Sequence, residues 1–203
     1  MKVRSLYDLF MELPDKRAAE GKRYNQAGVL ALVTLALIAQ QNSLRQIATW
    51  VDAQDPALST RLGFRFSRMP SYGTIRRVLL DLDLDCLRSA LQSWAQDLTR
   101  SVPVTDVPPQ SVPALAIDGK TLRGSANPAQ DTPAVRLLSA VVHELGVTLA
   151  QQPIAATTNE LGTLPDLLRD LVLEGTIVSL DAHYTTRTVA TAIRKKGGTI
   201  SCA

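Results

Sequence analysis

This chain has no Cys-X-X-Cys pair and no Cys/His cluster, and its two cysteines, Cys86 and Cys202, lie far apart. That excludes a zinc finger or ribbon and a disulfide-stapled scaffold, and leaves two reduced thiols. Long apolar runs are also lacking. The longest, residues 27–39, is interrupted by Gly28 and Thr34 and falls short of the roughly 20 residues that span a bilayer, so it reads as a buried helix. No apolar signal-peptide core follows Lys2 and Arg4, because Asp8 and Glu12 intervene. These absences predict a cytoplasmic protein.

What is present is enough for one large domain or two small ones: 203 residues, 45% of them hydrophobic. The net charge of +3 is unevenly spread, with 14 Lys/Arg against 10 Asp/Glu in residues 1–100 and 8 against 9 in residues 101–203. A basic excess confined to the first half is what a nucleic-acid-facing half would show, and an excess of this size is equally compatible with a solvated surface. Residues 101–113 carry four prolines, which withhold donors from helix and sheet alike and predict a stiff extended linker.

Before that linker the periodicity is helical. Leu6, Leu9, Phe10 and Leu13 trace an amphipathic helix ended by Pro14, and a second helix over about residues 26–40 is apolar on most faces, the pattern of a bundle centre. Ser43 caps a third helix with Leu44, Ile47, Ala48 and Val51 on one face. Ser71 caps a fourth that buries Ile75, Val78, Leu79 and Leu82, and Asp83 starts a fifth with Leu87, Leu91, Trp94 and Leu98 inward. Arg76 and Arg77 project away from the apolar stripe of the fourth helix, with Arg61, Arg65 and Arg68 in the loop before it; they read either as a phosphate grip or as a solvated face. The gap between the Ser43 and Ser71 helices is too long for a helix-turn-helix, whose turn takes only about 3–4 residues.

After the linker the pattern predicts strands over residues 114–122, 135–143 and 147–154, a helix over 160–173, a strand over 176–180, a helix over 185–196, and the start of a strand over 199–202. Glu144-Leu145-Gly146 fits a turn between the second and third strands. Three antiparallel strands followed by helix, strand, helix, strand is the order of an RNase H-like core, in which the first and fourth strands are neighbours. That adjacency would bring Asp118 and Asp181 together.

Each of these aspartates follows an apolar strand-like run, and two carboxylates on neighbouring strands are what divalent cations require to clamp a phosphodiester. Beside a buried strand such a charge is costly unless a cation or hydrogen bonds offset it. Asp118 also fits a second reading, because Asp-Gly between strand-like residues is a hairpin-turn signal. Asp181 likewise reads either as a ligand at a strand end or as a cap for the following helix. Lys120 and Arg123 suit a flanking phosphate or plain solvent exposure. His183, without a partner, reads first as structural; Glu160 suits the N-terminus of its helix, and Lys195 and Lys196 the C-terminus of theirs.

The stretch Ala116-Ile117-Asp118-Gly119-Lys120-Thr121-Leu122-Arg123-Gly124-Ser125 resembles the first-aspartate motif of bacterial insertion-sequence transposases of the H-repeat-associated type, in the DDE superfamily. Thr158-Asn159-Glu160, Leu164-Pro165-Asp166-Leu167-Leu168 and Leu180-Asp181-Ala182-His183-Tyr184-Thr185 extend the match. The segment from Pro70-Ser71 through Thr74-Ile75-Arg76-Arg77 resembles that family's helical associated domain. The likeness implies an α+β chain: an all-helical domain over residues 1–100, the 101–113 linker, and an incomplete RNase H-like core with a mixed sheet over 114–203.

It also implies an enzyme that cuts and joins double-stranded DNA at transposon ends in the nucleoid. Asp118 and Asp181 would be catalytic ligands of Mg2+ or Mn2+, and Arg65, Arg68, Arg76, Arg77, Lys120 and Arg123 would contact DNA. The family's third acid, a glutamate, has no counterpart in this sequence, nor has the Lys-Gly-Asn-Gln-like stretch past the fifth strand, and Thr186 stands where glutamine is common. The expectation is therefore a transposase that is C-terminally truncated and inactive alone, or is completed by a second C-terminal polypeptide or a frameshift, with a homo-oligomer as a further partner state, or else a non-catalytic DNA-binding or partner-binding regulator of transposition.

Overall fold

The computed structural model describes residues 4–18, 22–101, 112–143 and 145–202. They form two compact units, Met1–Trp94 and Ala95–Ala203. The first is helical: α1 (Leu6–Glu12), α2 (Gln26–Ile38), α3 (Leu44–Asp52), α4 (Pro56–Arg61), α5 (Tyr72–Leu80) and α6 (Leu84–Ser101), the last continuing into the second unit. Each helix starts on a short polar side chain that accepts an otherwise orphaned amide. The caps are Ser5, Asn25, Ser43, Asp55 and Ser71, with Asp83 accepting from the Cys86 amide at 3.0 Å ahead of α6.

α2 lies between two apolar clusters, which explains its apolar circumference. Val29, Leu32, Val33 and Ala36 join Ile47, Val51, Ile75 and Val78. Ala27 and Leu30 join Leu9, Phe10 and Leu13, against which Leu82, Leu87, Leu91 and Trp94 pack half-buried. The bundle centre ends before the helix does, since Leu35, Leu37 and Ile38 near its C-terminus are exposed. Helix α4 fills the gap that the periodicity leaves as loop. It is too short for a period to show, and its signal is local: Asp55 caps it and Pro56 opens it.

The second unit is a mixed five-stranded sheet in the order β3-β2-β1-β4-β5, with two helices. β1 (Ala114–Leu122), β2 (Val135–Val142) and β3 (Val147–Pro153) are antiparallel, and β4 (Ile177–Leu180) and β5 (Thr199–Cys202) run parallel to β1. Helices α7 (Glu160–Arg169) and α8 (Arg187–Lys195) make the crossovers. Leu115, Ile117, Leu138, Ala140, Val178 and Leu180 of the sheet share one core with Leu164, Leu167 and Leu168 of α7 and Val189 and Ile193 of α8. The 101–113 linker lies almost wholly outside the described residues, as does Glu144; Gly146 in the β2–β3 turn takes φ +62.

α7 ends four residues earlier than the apolar pattern suggests. Asp170 closes it, and the buried Leu171 and Leu173 belong to the connection into β4. Lys196 does not act on its own helix alone. Its ammonium donates to the carbonyls of Leu168, Arg169 and Leu171 at 2.7, 2.5 and 3.0 Å, so the end of α8 caps the end of α7.

Candidate active site

β1 passes straight through Asp118-Gly119. Asp118 pairs with Ser139, Gly119 with Leu138, and the ladder continues to Leu122 opposite Val135, so the Asp-Gly pair is not a hairpin turn. The reversal comes later, in a loop built on two short 3-10 turns, Arg123–Ser125 and Pro128–Gln130, with Asp131 in the left-handed region. On its other side β1 pairs with β4, and the last rung is Ile117 with Leu180. Asp118 and Asp181 each lie one residue beyond that rung, on neighbouring strands spaced about 5 Å apart. Alternation puts both on the face opposite the buried Ile117 and Leu180 side chains.

Both aspartates are exposed, which corrects the expectation of a costly buried charge. The Asp118 carboxylate has no hydrogen bond or ion pair to a described residue. Asp181 accepts from the His183 amide at 3.2 Å and so caps the 3-10 turn Ala182–Tyr184; Thr186, not Asp181, caps α8 through the Val189 amide at 3.3 Å. His183 is exposed, edge-on to Tyr184, and is no core residue.

Gly119 explains what sits behind the pair. A Cβ there would come within 2.8 Å of Glu160 Oε1 and 2.9 Å of the Tyr184 hydroxyl, so the strand must be bare at this point. Glu160 is held by the Arg136 guanidinium at 3.2 Å. The Tyr184 hydroxyl titrates above its ordinary range because it is buried, because the Glu160 carboxylate faces it by charge and as an acceptor, and because Asp118 and Asp181 add negative potential. Arg136, Glu160 and Tyr184 thus form a polar support behind the aspartates that sequence reasoning missed. Its one local trace was a glycine directly after the first aspartate, in mid-strand.

The donor set suits a single hydrated divalent ion, since Mg2+ keeps several waters and is content with one or two carboxylates. It does not suit a two-ion clamp. Among the described residues no group of three His, Cys, Asp or Glu is placed to hold a metal ion. Lys120 shares the face of Asp118 two residues on, and Arg123 opens the following 3-10 turn; both are exposed. In the helical unit Arg23, Arg65, Arg68, Arg76 and Arg77 are all exposed; Arg68 and Arg77 line one cavity together with Arg23, and Arg65 and Arg76 are not among the residues lining it. No helix among the described residues is long and apolar enough to cross a membrane.

Comparison with known proteins gives these elements relatives. Residues 7–95 match the family model described as DDE_Tnp_1-associated. "Putative transposase YncI" of Escherichia coli K12 is 28% identical over 196 residues, 97% of this chain and 75% of that protein. Its counterpart in E. coli O157:H7 matches at 28% over 97% of this chain but 48% of its own length. "H repeat-associated putative transposase YhhI" of E. coli K12 is 24% identical over 98% of this chain and 50% of its own. The chain therefore spans between about half and three quarters of these relatives. Among solved structures, a piggyBac transposase in a synaptic complex with hairpin DNA covers 97% of the chain at TM-score 0.44 and 12% identity, too distant to inform the site. Residues 7–95 thus match the DDE_Tnp_1-associated model, and nearly the whole chain is similar to E. coli proteins named as putative transposases, H repeat-associated ones among them.

Proposed function

We propose that this chain acts as a DDE transposase, with a helical DNA-binding domain (1–100), a linker (101–113) and an RNase H-like core (114–203) whose Asp118 and Asp181 bind Mg2+ or Mn2+. The observation that carries this reading is the in-register placement of the two aspartates, exposed and on one face, at adjacent parallel strand ends. The strand order β3-β2-β1-β4-β5 supports the RNase H-like assignment.

A bound divalent ion would supply Lewis-acid stabilisation to a phosphodiester and lower the pKa of a coordinated water. The chain's own groups do the rest. Asp118 and Asp181 offer carboxylate oxygens, and the cap on the His183 amide holds Asp181 in one rotamer. Lys120 and Arg123 neutralise phosphates flanking the scissile one. Tyr184, kept protonated, keeps a neutral hydroxyl behind Gly119 instead of a third negative charge.

With two carboxylates placed among the described residues, this site holds one ion and cuts poorly, because it lacks the electrostatic stabilisation that a third ligand supplies. That same count favours a second reading, a DNA-binding regulator that occupies transposon ends without cutting them. Manganese binding followed by electron paramagnetic resonance tests the site: weak binding in the wild type, abolished in Asp118→Asn and in Asp181→Asn, is the expected result. Binding unaffected by both substitutions would remove Asp118 and Asp181 from the metal site.

A further inference from the structure

We infer that the cavity lined by Arg23, Arg68 and Arg77 in the helical unit is a built seat for one backbone phosphate of DNA; this rests on the reading of the chain as a DNA-acting protein. The cavity has a volume of about 320 Å3, and its wall also includes Tyr24, Met69, Ser71 and Thr74. Three guanidinium groups line this one concavity, and none has an ion pair with a described residue. Like charges gathered without carboxylates repel one another, and an anion seated between them relieves that cost.

The three arginines are exposed, and the wall behind them is tied down in part. Arg23 has its guanidinium carbon 4.4 Å from the centre of the half-exposed Phe66 ring, a cation–π contact that restrains it at the surface. The buried Tyr24 hydroxyl donates to the carbonyls of Arg68 and Met69 at 3.0 and 3.2 Å, pinning the backbone that carries Arg68. Tyr24 is itself held edge-on against Phe64 at 5.1 Å. Arg77 stands in the last turn of the nine-residue α5, and Ser71 accepts the Thr74 amide at the start of that helix. Planar, forked donors in fixed positions match a phosphate's oxygens better than a single flexible ammonium would.

The test is duplex-DNA binding by the whole chain, followed by fluorescence anisotropy across a salt series without divalent metal. Arg68→Gln and Arg77→Gln should each lower the slope of log affinity against log salt by about 0.9, the share of one phosphate. The double variant should lose no more slope than either single, because both arginines address the same group. Arg77→Lys should keep the slope but bind more weakly, since charge remains and the fork is lost. Inorganic phosphate should compete with DNA for the wild type and less well for the variants. Matching circular-dichroism melts confirm that each variant is folded.

An unchanged slope in both single variants overturns the proposal, and so does a double variant that loses about twice the slope, which would mean two separate contacts on an open face. A wild type that binds inorganic phosphate but not duplex DNA rejects DNA as the source of the phosphate. Manganese binding reads the metal site and the metal-free salt slope of Arg68→Gln and Arg77→Gln reads the phosphate seat, so a failed metal site and a failed phosphate seat give different results.

Discussion

Replacing Gly119 by alanine tests whether the strand is bare because its neighbours need the room. Nothing about the backbone opposes the change, since Gly119 sits in a regular ladder opposite Leu138 and is not among the glycines with positive φ. Alanine in a strand would by itself gain about 0.5–1 kcal/mol over glycine. Against that, the new methyl would lie 2.8 Å from Glu160 Oε1 and 2.9 Å from the Tyr184 hydroxyl. Glu160 cannot swing away freely because Arg136 holds it, and Tyr184 is only 7% exposed. Overpacking of this kind costs about 1–3 kcal/mol, and after the strand-propensity gain a net loss of about 1 kcal/mol is expected. Urea denaturation of Gly119→Ala, Tyr184→Phe and the double variant measures it. Removing the hydroxyl vacates one of the two clashing positions, so Gly119→Ala should cost about 0.5–1 kcal/mol less in the Tyr184→Phe background. If Gly119→Ala is as stable as the wild type in both backgrounds, the space behind the aspartates is not what requires glycine.

Lys196→Met should destabilise the second unit by about 1.5–3 kcal/mol, because three carbonyls of the α7 terminus lose a charged donor; urea midpoints would show it, and an unchanged midpoint would assign those carbonyls to water. Asp83 is lowered from 3.8 to about 2 by the Cys86 amide and then by the Lys16 ammonium. A depressed folded-state pKa contributes stability that is complete above the unfolded value and is lost as pH falls through about 2. Melting temperatures of the wild type and Asp83→Asn should therefore converge between about pH 4 and pH 2, and a constant gap would assign the difference to something other than titration.

Much of the fold is legible in the residues, for reasons that are local. Ser43 and Ser71 cap helices at the expected places because an N-cap needs only its own side chain and an amide three residues on. β1 beside β4 follows from the order of elements. What escapes is whatever depends on distant neighbours or very short elements. Asp118-Gly119 carries a genuine turn signal, and only the ladder to β2 shows that the glycine clears space for Glu160 and Tyr184. The Arg136–Glu160–Tyr184 support draws on β2, α7 and the turn after β4, which are brought together by folding alone. Arg23 escaped as well, because it lies far in sequence from the arginine-rich loop and α5 whose cavity it shares.

The parallel pairing of β1 with β4 has only four rungs, from Ala114–Ile177 to Ile117–Leu180. The relative position of the two aspartates is therefore a property of reading frame within one short strand. A residue inserted into the Glu174-Gly175 turn changes only the length of a connection. A residue inserted between Ile177 and Leu180 would carry Asp181 about 3.3 Å along the strand and turn its side chain to the opposite face. Insertion tolerance should thus change abruptly within a few codons, and a library of single-codon insertions through this segment would locate the site by the boundary it exposes.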